Sequence, residues 1–215
     1  MGELSAAALL LDMDGTLIEA VGSWDQHWSD WADHHRLPRD PVVAAAREGP
    51  AEAVVARFLP GAASADVSAE VAWVERLDRF RLVEAALPGA AAVLAQRGLP
   101  VAVVTSAARE TAVLRLQRAG LPQPAVLVAA GDVRHGKPDP EPYLTAAARL
   151  GVDPTDCVGV EDTPSGIASL RAAGLVAVGV LTTRDAAALH EADVTLPDLA
   201  ALQVVPGGVR WVTDS

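Results

Sequence analysis

The chain has 215 residues, 51% of them hydrophobic, which is enough apolar surface for a real core and excludes disorder as the main state. Its 17 basic and 28 acidic side chains give a formal charge of −11. That balance argues against a surface built for nucleic acid or anionic lipid, but leaves an anionic substrate open, because a bound metal can reverse the sign locally.

Cys157 is the single cysteine, so neither an intrachain disulfide nor a thiolate metal cluster is expected. Residues 1–8 lack the basic stretch of a secretory leader, and no apolar run reaches the length of a membrane span. The expectation is a cytoplasmic globular protein, monomeric with an oligomer left open, having no nucleic-acid or membrane partner.

Residues 8–11 form an unbroken apolar run that ends at Asp12. Runs of this kind, without polar alternation, read as strands buried on both faces. The next such run, 101–104, begins only after 88 intervening residues, far more than a crossover needs. The interval reads as helical over 24–35, 41–48, 51–58 and 65–84, so a helical insertion is expected over residues 17–84. On the first of these helices Trp24, Trp28 and Trp31 share one face, as packing in the insertion's own interior would require.

From residue 88 strands and helices alternate. A helix over 88–97 ends at Gly98, and the run 101–104 leads into Thr105-Ser106. A helix over 108–119 ends at Gly120, and the run 125–128 precedes Gly131-Asp132. A helix over 141–150 ends at Gly151, and the run 158–160 leads into Glu161-Asp162. A helix over 165–173 ends at Gly174, and the run 176–180 leads into Thr182-Thr183. Glycine just past the last helical residue is the usual stop. The order specifies an α/β fold: a Rossmann-like parallel sheet core, residues 1–16 and 85–215, with an inserted all-α domain over 17–84. The tail after Pro197 offers no motif.

Ligands of open parallel sheets bind beyond the C-terminal ends of the strands. The polar residues at those ends are Asp12, Asp14, Thr105, Ser106, Glu161 and Asp162, and the loop carrying Lys137 can reach the same edge. In Asp12-Met13-Asp14-Gly15-Thr16, two acids two apart on extended chain point to one side, and Gly15 lets the chain turn. Asp12 follows three leucines, where a carboxylate is costly without compensation. Four acids against one lysine leave three net negative charges; an oxygen-preferring dication such as Mg²⁺ brings this to one, and protonating one acid brings it to zero. A metal site that also holds a general acid is the reading that balances.

These residues resemble the four motifs of the haloacid dehalogenase-like hydrolases, in order along the chain. They are Asp12-Met13-Asp14-Gly15-Thr16; Thr105-Ser106; Lys137 in Gly-Lys-Pro-Asp-Pro-Glu-Pro-Tyr; and Glu161-Asp162-Thr163-Pro164-Ser165-Gly166-Ile167. The resemblance implies a Mg²⁺-dependent phosphatase, its substrate a small phosphorylated metabolite, with Asp12 as nucleophile and Asp14 as general acid and base. It implies Mg²⁺ on the Asp12 carboxylate, the Asp14 carbonyl and Asp162, with Glu161 as a further or outer ligand. Thr105, Lys137, Ser106 and the Gly15-Thr16 turn would hold phosphoryl oxygens, and the helical insertion would be a cap that closes over the substrate.

Within that family the chain looks most like sugar and polyol phosphatases, on the tryptophan pattern of the first cap helix and on Val104-Thr105-Ser106 followed by Arg109. It departs from them at Glu19, where they carry Asp, and at Arg47-Glu48-Gly49-Pro50, where they read His-Gly-Arg-Pro; Arg47 is the candidate cationic contact from the cap. Two alternatives stand beside this reading: a phosphomutase of the β-phosphoglucomutase type, and a non-catalytic binding protein. The mutases carry a cap histidine where this chain has Trp24, and non-catalytic relatives usually lose Asp12 or Asp14.

Overall fold

The computed structural model describes residues 2–19, 21–48, 50–81 and 85–212, with the side chains of 21–24, 47–48 and 75–81 left aside. The chain divides into two compact units: residues 1–19 with 84–215, and residues 20–83.

In chain order the first unit contains β1 (Gly2–Ser5) and β2 (Ala8–Asp12). The second unit contains α1 (Val21–His34), α2 (Arg39–Glu48), α3 (Ala51–Phe58) and α4 (Ser64–Arg81). The first unit then resumes with α5 (Ala90–Ala95), β3 (Val101–Val104), α6 (Arg109–Arg118), β4 (Val126–Val128), α7 (Glu141–Leu150), β5 (Cys157–Glu161) and α8 (Pro164–Ala172). It ends with β6 (Val176–Val180), β7 (Val194–Leu196), β8 (Leu202–Val205) and β9 (Gly208–Trp211).

Six parallel strands form the main sheet in the order β4-β3-β2-β5-β6-β7. The chain grows outward from β2 to β3 and β4, then returns to the other side of β2 for β5 to β7. The switch point therefore lies beside the C-terminal end of β2, where open sheets of this class bind ligands. Alternation along the strands sends Leu9, Leu11, Val103, Val158 and Val160 to one face, and Ala8, Leu10, Ala102, Val104 and Cys157 to the other. Ala90 and Val93 of α5 and Ala112 and Leu116 of α6 pack on the first face; Tyr143 of α7 and Ile167 and Leu170 of α8 pack on the second. The result is three layers with both faces of the sheet buried.

The Schellman-type stops expected at Gly120, Gly151 and Gly174 have φ of +67°, +72° and +85°. Gly98 does not play this part. α5 ends at Ala95, three residues before it, and the Gln96 side chain accepts from the N–H groups of Gly98 and Leu99 instead.

Two features depart from the sequence reading. The expected insertion over 17–84 begins three residues too early. Leu17 and Ile18 are fully buried in the core of the first unit, Ile18 bridges Ala86, and Glu19 N–H donates to the Ala85 carbonyl, so both connecting segments belong to the sheet domain. The tail and the first residues are not featureless either: β1 pairs antiparallel with β9, and β9 with β8, in a second small sheet. Its Val209 and Leu202 join the core cluster on the α5 face.

The helical unit has its own core, in which Trp28 and Trp31 of α1 pack with Val42, Val54, Val55, Val71 and Val74. The two indoles meet edge to face with centroids 5.3 Å apart, and Trp31 Nε1–H donates to Glu70 at 2.9 Å. The side chain of Trp24 lies outside the described residues, so the three-residue face is described at two positions. Among the described residues, no helix is long and apolar enough to cross a membrane.

Candidate active site

The strand register brings the acids together. Leu11 is opposite Val160 and Asp12 is opposite Val104, so the carboxylates of Asp12 and Glu161 leave adjacent strands at one level, and Thr105 follows one residue beyond. Asp12, Glu161 and Asp162 each offer a carboxylate oxygen within 4.8 Å of the others, and the three residues are 7%, 1% and 2% exposed. Burial of so many like charges is unfavourable without cations.

Lys137 supplies the first cation. Its Nζ lies 2.5 Å from Asp12 Oδ1, 2.7 Å from Glu161 Oε1 and 3.1 Å from the Val104 carbonyl. Three N–H bonds thus meet three acceptors. Burial opposes the ammonium charge, but the Asp12 and Glu161 carboxylates beside it hold its pKa well above the ordinary lysine value. Burial pushes the Asp12 carboxyl up, against the pull of Lys137, and Glu161, Asp162 and Asp14 add to the rise.

Glu161 is saturated by donors. Oε1 accepts from Tyr143 Oη–H at 2.9 Å as well as from Lys137, and Oε2 accepts from Asp162 N–H, Thr163 N–H and Thr163 Oγ1–H at 3.0, 3.3 and 3.1 Å. Gly166 makes room for this carboxylate, since a Cβ there would lie 1.8 Å from its Cδ. Thr163 caps α8 by accepting from Gly166 N–H, so the motif starts a helix and positions an acid with the same few residues.

Asp162 is different. Its Oδ2 accepts from Thr183 Oγ1–H at 2.5 Å, whereas Oδ1 is buried with no hydrogen-bond partner among the described residues. Burial, with the Glu161 charge, pushes its carboxyl up to about 7. A buried orphan carboxylate oxygen beside Asp12 is what a hard divalent cation would satisfy, so the donor set fits Mg²⁺. Gly15, at φ +84°, packs against the same carboxylate: a Cβ there would lie 2.1 Å from Asp162 Oδ2.

The remaining expected residues surround this cluster. Thr105 is 4% exposed; its Oγ1 accepts from Ala107 N–H at 3.1 Å, and its own hydrogen is left to donate. Ser106 is exposed and, with Thr105, Arg134, Gly136 and Lys137, lines a cavity of about 150 Å³. Thr16 is buried in the turn after β2, its Oγ1 without a hydrogen-bond partner among the described residues. Asp14 is partly exposed, and its Oδ1 is 2.8 Å from Arg115 Nη2 of α6. Arg47 lies in α2 of the helical unit, and its side chain is outside the described residues.

The sequence reading gave no role to Tyr143, Arg115, Arg134, Thr182 and Thr183. One of them carried a signal. Arg115 sits on the α6 face with Ala112 and Leu116, all three buried, and a cation at a core position implies an anionic partner.

A family model described as haloacid dehalogenase-like hydrolase matches residues 6–174. The chain is 38% identical over 199 residues to hexitol phosphatase A of Escherichia coli, covering 91% of this chain and 92% of that protein. It is 37% identical over 209 residues to validoxylamine A 7′-phosphate phosphatase of Streptomyces hygroscopicus subsp. limoneus, covering 94% of this chain and 95% of that protein. The crystal structure of a HAD hydrolase, family IA, variant 3, from Entamoeba histolytica superposes with a TM-score of 0.81 at 21% identity, covering 92% of this chain and 95% of that one.

Proposed function

Because the chain belongs to the haloacid dehalogenase-like hydrolases, we infer that it is a phosphoric monoester hydrolase acting on small sugar or polyol phosphates. The observation that carries this reading is the cluster at the sheet's switch point: a buried Asp12 in contact with Lys137, beside an Asp162 carboxylate with one oxygen unmatched among the described residues. The two phosphatase relatives support the substrate class.

Lys137 favours the ionised form of Asp12, the form that attacks phosphorus, against the burial that opposes it. One Asp12 carboxylate oxygen forms a bond to phosphorus as the bond to the substrate's alcohol oxygen breaks. Asp14 gives its proton to that departing oxygen, so the alcohol leaves neutral and the phosphoryl group stays on Asp12. Asp14, now a carboxylate, takes a proton from water. The water oxygen bonds to phosphorus, the phosphorus–Asp12 bond breaks, and inorganic phosphate is released with Asp12 restored.

Thr105 Oγ1–H, the Ser106 N–H and the Gly15-Thr16 turn hold the non-bridging oxygens, with Lys137 exchanging one of its three present acceptors for a phosphoryl oxygen. Asp12, Asp162 and the Asp14 main-chain carbonyl would hold Mg²⁺, and Glu161, filled by Lys137, Tyr143 and Thr163, supports the site from outside. When bound, Mg²⁺ neutralises charge on the phosphoryl oxygens and aligns the in-line displacement. The unit over 20–83 is assigned the part of a cap that shields the reaction from water, with Arg47 reading the substrate.

The test is phosphate release from sugar, polyol and nucleotide monophosphates, with Mg²⁺, with chelator, and in Asp12→Asn. Release that needs Mg²⁺ and disappears in Asp12→Asn supports the reading, and the order of substrates names the preferred class. Absence of release, together with conversion of β-glucose 1-phosphate to the 6-phosphate, would replace it with the mutase.

A further inference from the structure

The segment after β6 reaches back over the site. β6 is paired to β5 with Gly179 opposite Glu161, so the residues just beyond it, Thr182 and Thr183, arrive beside Asp162. Thr183 Oγ1 lies 2.5 Å from Asp162 Oδ2 and 3.2 Å from the Asp162 carbonyl oxygen. Thr182 Oγ1–H donates to the carbonyl of Gly15. Neighbouring hydroxyls of one loop thus hold the turn that follows the nucleophile strand and the acid that follows β5.

The consequence falls on Asp162. A carboxylate has two equivalent oxygens, and in an open site either could turn toward a cation. Here Oδ2 is committed to Thr183 and packed beside Gly15, while Oδ1 is buried and has no hydrogen-bond partner among the described residues. We propose that Thr183 is a positioning residue for the cation site: its hydroxyl fixes Asp162 Oδ2, so that Oδ1 is the oxygen presented to a divalent cation. The Thr182 contact holds the Gly15 turn against the same carboxylate. The ordering of the ligand is then completed on folding and not left to the moment of metal binding, and loss of such an outer partner typically weakens metal affinity by about 10–100-fold. The inference rests on the reading that Asp162 binds the metal.

The test is a Mn²⁺ titration of the full chain followed by electron paramagnetic resonance, with Mg²⁺ calorimetry beside it. It compares the wild type with Thr183→Val, Thr183→Ser and Asp162→Asn. Thr183→Val keeps the shape and removes the hydroxyl; it is expected to weaken Mn²⁺ binding by about 10–100-fold. Thr183→Ser restores the donor and is expected to recover most of the affinity. In turnover, Thr183→Val should need more Mg²⁺ for half-maximal rate, while KM for the phosphate ester at saturating Mg²⁺ stays near the wild-type value. Should Thr183→Val not fold, Thr183→Ala is read in its place. Wild-type affinity in the folded variant, with Asp162→Asn weakened, overturns the role of Thr183 alone. Unchanged binding in Asp162→Asn overturns the metal assignment of Asp162, and the inference with it.

Discussion

Lys137 Nζ and Asp12 Oδ1 are 2.5 Å apart although 125 positions separate them in the chain. The ammonium also neutralises Glu161, so one buried cation serves two buried carboxylates. Lys137→Met would leave both acids in a low-dielectric site with no counter-ion among the described residues. Either would then be ionised only at a large cost, and a protonated Asp12 is a poor nucleophile. The expected result is a fall in kcat of about 10²–10³-fold and a loss of stability of about 3–5 kcal/mol. Steady-state phosphate release and urea unfolding measure the two effects separately.

Glu161→Gln separates support from metal ligation. The substitution replaces one acceptor oxygen by an NH₂ group, which cannot accept from the N–H groups of Asp162 and Thr163 or from the lysine. Stability should fall by about 2–4 kcal/mol, and Tm by about 5–15 °C. Mg²⁺ affinity measured by calorimetry should drop much less than in Asp162→Asn. An equal drop in the two variants would make Glu161 a direct ligand.

Gly15→Ala meets two obstacles. The residue has φ +84°, where side chains other than glycine are strained, and the added Cβ would lie 2.1 Å from Asp162 Oδ2. Backbone strain of this kind costs about 1–3 kcal/mol, and relieving the contact moves Asp162. Loss of Mg²⁺-dependent stabilisation in a thermal melt is expected along with loss of hydrolysis.

Asp132, which does not belong to the acid cluster, gives a pH dependence of its own. Its Oδ2 is 2.5 Å from Arg109 and 3.3 Å from Arg149, and accepts from Ala129 N–H at 2.8 Å. The Arg149 and Ala129 hydrogen bonds lead in holding its carboxyl down at about 2, against an ordinary 3.8. The folded value lies below the unfolded one, so this stabilisation is complete above about pH 4 and is lost as pH falls through about 2. The guanidinium groups are half-exposed, which limits it to about 1 kcal/mol. Asp132→Asn should therefore be less stable than the wild type by about that amount at pH 7. The gap should narrow between pH 4 and pH 2.5 in urea unfolding curves.

Mg²⁺ itself should stabilise the folded chain. At about 100 times its Kd the gain is about 2.7 kcal/mol, visible as a rise in Tm that chelator reverses. Asp162→Asn should abolish the rise.

Several residues of the cluster were legible in the sequence for a local reason. Asp12, Thr105 and Glu161 each follow directly on an apolar run, with Asp162 next after Glu161, and a parallel sheet places such ends along one edge whatever the strand order. The boundary near residue 17 was less legible, because Leu17 and Ile18 read equally well as insertion or core. Their burial in the core of the sheet domain and the pairing of Ile18 with Ala86 assign them. The small sheet of β1, β9 and β8 escaped for a related reason: Gly2 pairs with Trp211, and short strands at opposite ends of a chain carry no sign of each other.

By itself the sequence determined the α/β class, the helical insertion and the acids that line the sheet edge, because each of these follows from periodicity and from residues adjacent in the chain. Only the tertiary structure decided what those acids do to one another. That Glu161 is filled by Tyr143, Lys137 and Thr163, that Asp162 keeps one oxygen unmatched among the described residues, and that Arg115 meets Asp14 all depend on strand order and on which helix face packs against it. Those relations join residues far apart in the chain, and hydrogen bonds act over about 3 Å of space whatever the separation in sequence.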